Sequence, residues 1–243
     1  MRIITWNCQG AFRKKSEAIL CYSPDILVVQ ECEHPDNLKF GSTNAKPTDY
    51  VWFGDNKHKG LGIFSYSEYR FQLLDCHNPD FKIIVPISVT GGLNDFNLFA
   101  IWANNPYDPY HRYIEQVWQA INHYDGLLEN GSSILTGDFN SNKIWDKKSR
   151  VGNHSDVVDR LANKNIFSAY HKSFNQEQGQ EAHPTFFLQR KITKPYHIDY
   201  CFVSADLYNR IQNIEIGTYD NWIMNSDHVP VIIDFEDIKK NEC

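Results

Sequence analysis

The sequence predicts an α/β fold: a four-layer sandwich in which two packed mixed β-sheets are flanked by helices. Nine short apolar runs recur along the chain, rich in β-branched and aromatic residues and mostly bounded by Gly, Pro, Asn or Asp. A few segments with helical spacing lie between them. Many strands interspersed with a few helices are typical of two packed sheets with helices outside.

The predicted strands are RIITW, DILVVQ, YVWF, GLGIFS, FKIIVPISV, FNLFAIW, SSILTG, HIDYCFV and HVPVIIDF. Three segments are predicted to be helices. The first is SEAILCY, and the third covers Ser155 to Lys164. The second begins with Asp108 as N-cap and Pro109 in the first turn. An apolar stripe with i, i+3, i+4 and i+7 spacing marks that helix: Ile114, Val117, Trp118 and Ile121.

Length and composition favour a single globular unit. The chain has 243 residues, of which 42% are hydrophobic, so we expect one domain over residues 1–243. The start, MRIITWNCQG, lacks the apolar stretch of a signal peptide, and no segment has the length of a membrane span. We therefore expect a cytoplasmic protein that makes no membrane contact, and no pattern indicates an obligate protein partner.

The charge distribution does not decide whether the protein binds nucleic acid. A formal net charge of −6 argues against a protein that grips nucleic acid nonspecifically over a long footprint. Two runs are nevertheless locally basic, KIWDKKSR at 143–150 and QRKITK at 189–194. They either meet a phosphate backbone or form solvated faces. Their candidate contacts are Lys147, Lys148, Arg190 and Lys191.

Polar side chains stand at the ends of five predicted strands. RIITW, DILVVQ and SSILTG each run into one, at Asn7, Glu31 and Asp138. HIDYCFV carries Asp199 near its start, and the final run follows Asp227. Because the end of one antiparallel strand lies beside the beginning of its neighbour, we expect these positions to share one rim.

Such an oxygen-rich rim suits a hard divalent cation, Mg²⁺ or Mn²⁺. Converging carboxylates repel one another, so positive charge is what makes their clustering favourable. His228 adds a group that exchanges a proton near neutrality. These parts can activate water and stabilise charge on a phosphate. The oxygen donors are Asn7, Glu31, Asp138, Asn140, Asp199 and Asp227.

Five motifs resemble, in the same order, those of the endonuclease/exonuclease/phosphatase superfamily: TWNCQG, VVQECE, GDFNSN, HIDY and SDHVPV. This superfamily includes exonuclease III, abasic-site endonucleases and pancreatic deoxyribonuclease. The resemblance extends from Asn7 to Phe235. It implies that Glu31 binds the metal, with Asn7 beside it, and that Asp227 contacts the metal or its water.

The same resemblance implies roles at the phosphate. Asp138 orients or deprotonates the attacking water, and Asn140 contacts the scissile phosphate. Asp199 pairs with His228, which contacts the phosphate and is treated as the general base in some members. The residues alone leave the choice between Asp138 and His228 open, because it depends on which group reaches the water.

Three positions depart from the pattern of repair members. Gln9 replaces the acid of the first motif, as in pancreatic deoxyribonuclease, which weakens the case for a second metal there. Trp102 stands where other members have a phosphate-contacting Tyr or His, and an indole N–H donates one hydrogen bond without ionising. His197 replaces an Arg that is common in repair nucleases.

Three apolar residues have two readings. By resemblance, Phe186, Tyr196 and Ile198 match the pocket that accepts an extruded abasic sugar in repair enzymes. As strand-end residues, they also fit ordinary core packing, and this second reading is favoured because aromatic residues at such places are common in cores.

The sequence thus favours a metal-dependent phosphodiesterase, most of all a nuclease acting on DNA. A phosphatase or phosphodiesterase on a sugar, inositol or lipid headgroup phosphate is the alternative. A catalytically silent binding module is a third reading, because fold alone does not give function.

Overall fold

A computed structural model describes residues 1–42, 44–81, 84–92, 95–104 and 112–236. Its strands are β1 (Arg2–Asn7), β2 (Ile26–Cys32), β3 (Asp49–Asn56), β4 (Lys59–Ser65), β5 (Arg70–Leu73), β6 (Ile84–Thr90), β7 (Phe96–Trp102), β8 (Ser133–Asp138), β9 (Ile166–Ser168), β10 (Phe186–Phe187), β11 (Pro195–Tyr196), β12 (Asp199–Ser204), β13 (Ile211–Ile216) and β14 (Val231–Phe235). Its α-helices are α1 (Ser16–Leu20), α2 (Pro35–Leu38), α3 (Ile114–His123), α4 (Asp125–Glu129), α5 (His154–Ala162), α6 (Ala169–Phe174), α7 (Ala205–Tyr208) and α8 (Tyr219–Trp222). Short 3₁₀ turns occur at Phe12–Lys14, Pro79–Phe81, Lys143–Trp145 and Leu188–Arg190.

The predicted elements are present. All nine predicted runs contain a strand, and the three predicted helices correspond to α1, α3 and α5. The expected N-cap of the second helix, Asp108 with Pro109, lies outside the described residues, and the described part of α3 begins at Ile114. The sequence analysis missed β5, β9, β10, β11 and β13, most of which are too short or too polar to stand out.

Two mixed six-stranded sheets form the centre of the fold, as predicted. The first has the order β13-β14-β1-β2-β4-β3, and the second has the order β5-β6-β7-β8-β12-β9. In each sheet one central pair is parallel, β1 with β2 and β7 with β8. A two-stranded ribbon of β10 and β11 lies apart from both sheets in the hydrogen-bonding pattern.

Three apolar clusters define the layers. Successive strand residues point to opposite faces, so Ile3 packs between the sheets against residues such as Leu98, whereas Ile4 faces the other way. The cluster around Ile4 includes α1 and α8. On the outer face of the second sheet, Val117 of α3 and Leu161 of α5 cover the strands. The two sheets are therefore packed on each other and flanked by helices.

Strand register gathers polar residues at one end of the sheets. The antiparallel pairing of β8 with β12 sets Asp138 opposite Asp199. The parallel pairing of β7 with β8 sets Trp102 beside Asp138. In the first sheet β1 ends at Asn7, whose side-chain amide reaches Asp138 across the sandwich at 3.0 Å. Strand register thus accounts for the positions of Asp138, Asp199 and Trp102 on the shared rim. None of the described helices is long and apolar enough to cross a membrane.

We predict that Gly137→Ala destabilises the fold by about 2–3 kcal/mol. Gly137 has φ +144°, and a Cβ there would overlap the carbonyl oxygen of Ile101 on the neighbouring strand. Gly126→Ala is the matched control, because a Cβ at this helical position meets nothing within 4 Å. We expect the control to be neutral or stabilised by up to about 1 kcal/mol. Urea unfolding measures both variants; equal midpoints for them would contradict the prediction.

Candidate active site

Three buried side chains form the inner part of the site. Asp138, Asp199 and His228 are each at most 5% exposed, and one ligand atom of each lies within 4.8 Å of the others. Asp138 ends β8, Asp199 begins β12, and His228 precedes β14. The ends of two strands and the segment that leads into a third therefore bring together two carboxylates and an imidazole.

His228 carries positive charge in this cluster. Its Nδ1 donates to Asp199, at 2.9 Å from Oδ2, and its Nε2 lies 4.0 Å from Asp138 Oδ2. Burial alone would lower the pKa of His228, but the carboxylates of Asp199 and Asp138 raise it to about 10. The protonated imidazole thereby balances part of the negative charge that the two carboxylates bring inside.

Asp138 is held by three hydrogen bonds. Its Oδ1 accepts from the backbone N–H of Asn140 at 2.8 Å. Its Oδ2 accepts from Asn140 Nδ2 at 2.9 Å and from Asn7 Nδ2 at 3.0 Å. Burial, together with the adjacent Asp199 carboxylate, raises the pKa of Asp138 to about 7. The carboxyl group is thus fixed in orientation and exchanges its proton near neutrality.

Four residues hold this arrangement: Asn140, Ala103, Thr185 and Ser226. Of these, Ala103 and Thr185 were not predicted from the sequence. Asn140 has φ +47°, and its Nδ2 also donates to the Ala103 carbonyl at 2.8 Å. The Thr185 hydroxyl accepts from the backbone N–H of Asp199 at 3.0 Å. Ser226 Oγ accepts from the N–H of His228 at 3.1 Å and donates to the Asn7 carbonyl. The sequence signal for Ser226 was its place in the SDHVPV motif, whereas Thr185 had none.

Glu31 lies at the outer edge of the site. It has φ +59° and interrupts the pairing of β2 with β4 as a β-bulge, which turns its side chain away from the regular strand direction. Its Oε2 lies 2.7 Å from Lys59 Nζ. Lys59 was missed, although it directly precedes the predicted strand GLGIFS. Glu31 is therefore not part of the inner cluster, and its charge is balanced by a lysine.

Asp227 and Gln9 complete the outer edge. Gln9 Nε2 donates to Asp227 Oδ2 at 2.7 Å, and Gln9 Oε1 accepts from the Arg190 guanidinium, with Nε at 3.1 Å. Burial and the charge of Glu31 raise the pKa of Asp227. The neutral Gln9 thus links an acid to a cation, where an acid at its position would have added a third negative charge.

The remaining predicted contacts are spread around the site. The Phe186 ring lies 4.6 Å from the His228 ring and 6.4 Å from the Tyr196 ring, measured between centroids. Ile198 is buried at 2% exposure, so of the predicted pocket only Phe186 and Tyr196 offer partly exposed rings. Trp102 is half-buried and lines a cavity with Lys59. Exposed loops carry Lys147, Lys148 and Lys191.

The chain matches the sequence profile of the Endonuclease/Exonuclease/phosphatase family over residues 4–212. The chain belongs to this family. The resemblance to this superfamily is thereby confirmed. Four of the five motifs lie within the matched residues, and SDHVPV, at 226–231, lies beyond them. The family consists of hydrolases of phosphoester bonds whose nucleases use divalent metal ions. No curated protein sequence matches the chain.

Several solved structures share the fold. A 3′ phosphatase, NExo, from Neisseria, bound to a product DNA hairpin, is 19% identical, with TM-score 0.63 and coverage of 97% of this chain and 99% of that one. An AP endonuclease from Archaeoglobus fulgidus is 17% identical, with TM-score 0.65 and coverage of 97% and 99%. The AP endonuclease LMAP from Leishmania major is 15% identical, with TM-score 0.68 and coverage of 96% and 86%. At these identities the likeness shows the fold, and the site must be argued from its own geometry.

We predict that Asp199→Asn lowers the pKa of His228, because the variant removes the carboxylate that accepts from Nδ1. A histidine whose pKa is raised on folding stabilises the protein fully below its unfolded value, 6.5, and loses that contribution as pH rises through about 10. The unfolding free energy of the wild type should therefore decline between pH 6.5 and about 10, and that of the variant should decline less over the same range.

NMR titration of the His228 ring and urea unfolding at several pH values provide the measurements. Asp159→Asn, on the exposed side of α5, is the control and should leave both quantities at their wild-type values. An unchanged His228 titration in Asp199→Asn would contradict the pairing.

Proposed function

We propose that the protein is a phosphodiesterase that depends on a divalent metal and acts on DNA, as a repair-type endonuclease or exonuclease. The observation that carries the proposal is the fixed, buried Asp138 carboxyl beside the charged Asp199–His228 pair. A carboxyl that exchanges its proton near neutrality, next to a fixed positive charge, suits water attack on a phosphate.

The residues of the outer edge fit a divalent cation. Glu31 and Asp227 are hard oxygen donors. Burial raises the pKa of Asp227, and the nearby charge of Glu31 adds to this effect, so a cation bound between the two carboxylates would favour their ionised forms. We propose that these two side chains hold Mg²⁺ or Mn²⁺ together with the amide oxygen of Asn7, which accepts from the Gln9 N–H at 3.0 Å. Such an ion supplies Lewis-acid stabilisation of charge on the phosphoryl oxygens. The inner cluster is less suited to it, because His228 already balances that charge.

The protonation states favour Asp138 as the general base. His228 is protonated near neutrality because its pKa is raised to about 10, so it has no free lone pair for a proton from water. Asp138, with its pKa raised to about 7, has an accessible deprotonated form. We therefore propose that Asp138 orients the water and accepts its proton, while His228 stabilises or protonates a phosphate oxygen.

In the free protein, the Asn140 side chain is a hydrogen-bond donor to Asp138. Both amide hydrogens of its Nδ2 are taken, one by Asp138 and one by the Ala103 carbonyl. A contact from this amide to the scissile phosphate would replace one of these bonds. We propose that Asn140 positions Asp138 in the free protein and that one bond is exchanged when phosphate binds.

Two observations support DNA as the substrate. A solved protein of the same fold, the Neisseria 3′ phosphatase, is bound to a DNA hairpin. Arg190 lies at the site edge through its hydrogen bonds to Gln9, and Lys147, Lys148 and Lys191 are exposed on loops, where they can meet a phosphate backbone. The net charge of −6 keeps a small phosphoester as the alternative, decided by comparing the two substrates.

We predict that Asp138→Asn lowers the rate at least about 100-fold on both a DNA duplex and bis-nitrophenyl phosphate. The variant keeps the shape of the side chain but removes its basicity. Circular dichroism checks the fold, and Asp159→Asn is the control. A folded variant with a near-wild-type rate would exclude Asp138 as base. Wild-type hydrolysis of the small diester or a sugar phosphate without DNA cleavage would favour the alternative.

We predict that Glu31→Gln weakens metal affinity more than it weakens phosphate binding. The amide keeps one oxygen but removes the charge that a hard cation requires. Mn²⁺ binding measured by electron paramagnetic resonance should weaken, and added Mg²⁺ should partly restore turnover. Glu17→Gln, at an exposed position of α1, is the control. An unchanged dependence on magnesium would remove Glu31 from the metal site.

A further inference from the structure

A groove lies next to the site, on the side of Glu31 and away from Phe186. Its volume is about 480 Å³, which is within the range of small-molecule sites. The turn between β3 and β4 forms one wall, and the end of β7 forms the other. The aromatic and polar residues that line it include one acid and one lysine: Trp52, Asp55, Asn56, Lys59, Trp102 and Asn104.

The groove begins beside the proposed base. Trp102 is the register partner of Asp138, and the next residue, Ala103, donates its N–H to the Asp138 carbonyl at 2.8 Å. A group lying on Trp102 is therefore adjacent to the scissile position. This places the groove where a nucleotide next to the cleaved bond would pass.

Lys59 connects the groove with the metal side of the site. Its ammonium lies 2.7 Å from Glu31 Oε2 and 5.9 Å from the centre of the Trp102 ring. The Lys59 side chain is 48% exposed, so a phosphate of the substrate that enters the groove can compete with Glu31 for the same ammonium.

The opposite wall is preformed. Trp52 Nε1 donates to the Cys32 carbonyl at 3.1 Å, and its ring lies 4.8 Å from the His34 ring. A Cβ at Gly54 or Gly60 would overlap the Trp52 ring, so the absence of side chains at both positions lets the indole lie across the hairpin. Little ordering would be needed on binding, which favours affinity.

We propose that this groove binds an unpaired nucleobase of the substrate, stacked on the face of Trp102, with Lys59 contacting that nucleotide's phosphate. The inference rests on the proposed nuclease function and specifies its substrate: a strand with at least one unpaired nucleotide next to the cleaved bond. Aromatic faces accept any base by stacking, and Asn56 and Asn104, which also line the groove, carry amides that can hydrogen-bond to a base. A base paired in a duplex would not present its face to the ring.

The test compares the effect of removing one base from the oligonucleotide with the effect of removing the Trp102 ring from the protein. Labelled single-stranded oligonucleotides, each with one abasic analogue at a different position, are bound without divalent metal, and anisotropy gives the affinities. For the wild type, one position next to the cleaved bond should lose at least about fivefold in affinity when its base is removed. Trp102→Leu should abolish that difference, and Trp102→Phe should retain most of it.

Trp145→Leu is the control for loss of a partly exposed tryptophan, since Trp145 packs on Tyr196 at a ring distance of 5.1 Å. It should keep the wild-type preference at the critical position. Should Trp102→Leu fail to fold, a 5-iodouracil at that position should crosslink the wild type to Trp102, as mapped by mass spectrometry.

Two outcomes would contradict the inference, and only the second would also contradict the proposed nuclease function. If DNA is cleaved but the ratio of affinities with and without the base is the same in Trp102→Leu as in wild type at every position, the groove assignment alone is wrong. A crosslink that maps elsewhere has the same meaning. If a small diester is hydrolysed while no oligonucleotide is bound or cleaved, the nuclease function fails and the groove assignment falls with it.

Discussion

The site depends on one charge balance, that of His228 between two buried carboxylates. Asp138 and Asp199 face each other across an antiparallel strand pair, an arrangement that would be repulsive if both were ionised without a counter-charge. The protonated imidazole makes it tolerable, and the hydrogen bonds of Asn7 and Asn140 add to the compensation. The same balance sets the chemistry, because it raises the pKa of Asp138 to about 7 and keeps the His228 imidazole protonated near neutrality.

Three residues of the site adopt a costly backbone conformation. Gln9, Glu31 and Asn140 all adopt left-handed φ values, between +47° and +59°, which residues with a side chain rarely visit. Each lies just beyond or within a strand end, where the chain must leave the pleated direction to aim a polar side chain at the rim. The apolar clusters on both sides of each sheet supply the rigidity that keeps these turns in place.

The motif residues could be predicted because the pattern that identifies each of them lies in the neighbouring residues of the sequence. Each one interrupts an apolar run, and strand register then brings Asp138 and Asp199 together, as expected. Lys59 could not be found this way, since its partner Glu31 is distant in sequence and an isolated lysine resembles any solvated side chain. Thr185 escaped for a similar reason. The separation of Glu31 from the inner cluster depends on a β-bulge, which side-chain alternation does not reveal.

The order of the strands has a consequence for folding. In the first sheet β14 lies between β13 and β1, and Ser226 donates to the Asn7 carbonyl across a separation of 219 residues. Two segments that are distant in sequence must therefore meet before this sheet is complete. His228 lies next to Ser226, so the imidazole reaches Asp138 and Asp199 only when these segments have paired. Contacts of such long range slow folding, which makes the site one of the later parts of the molecule to form.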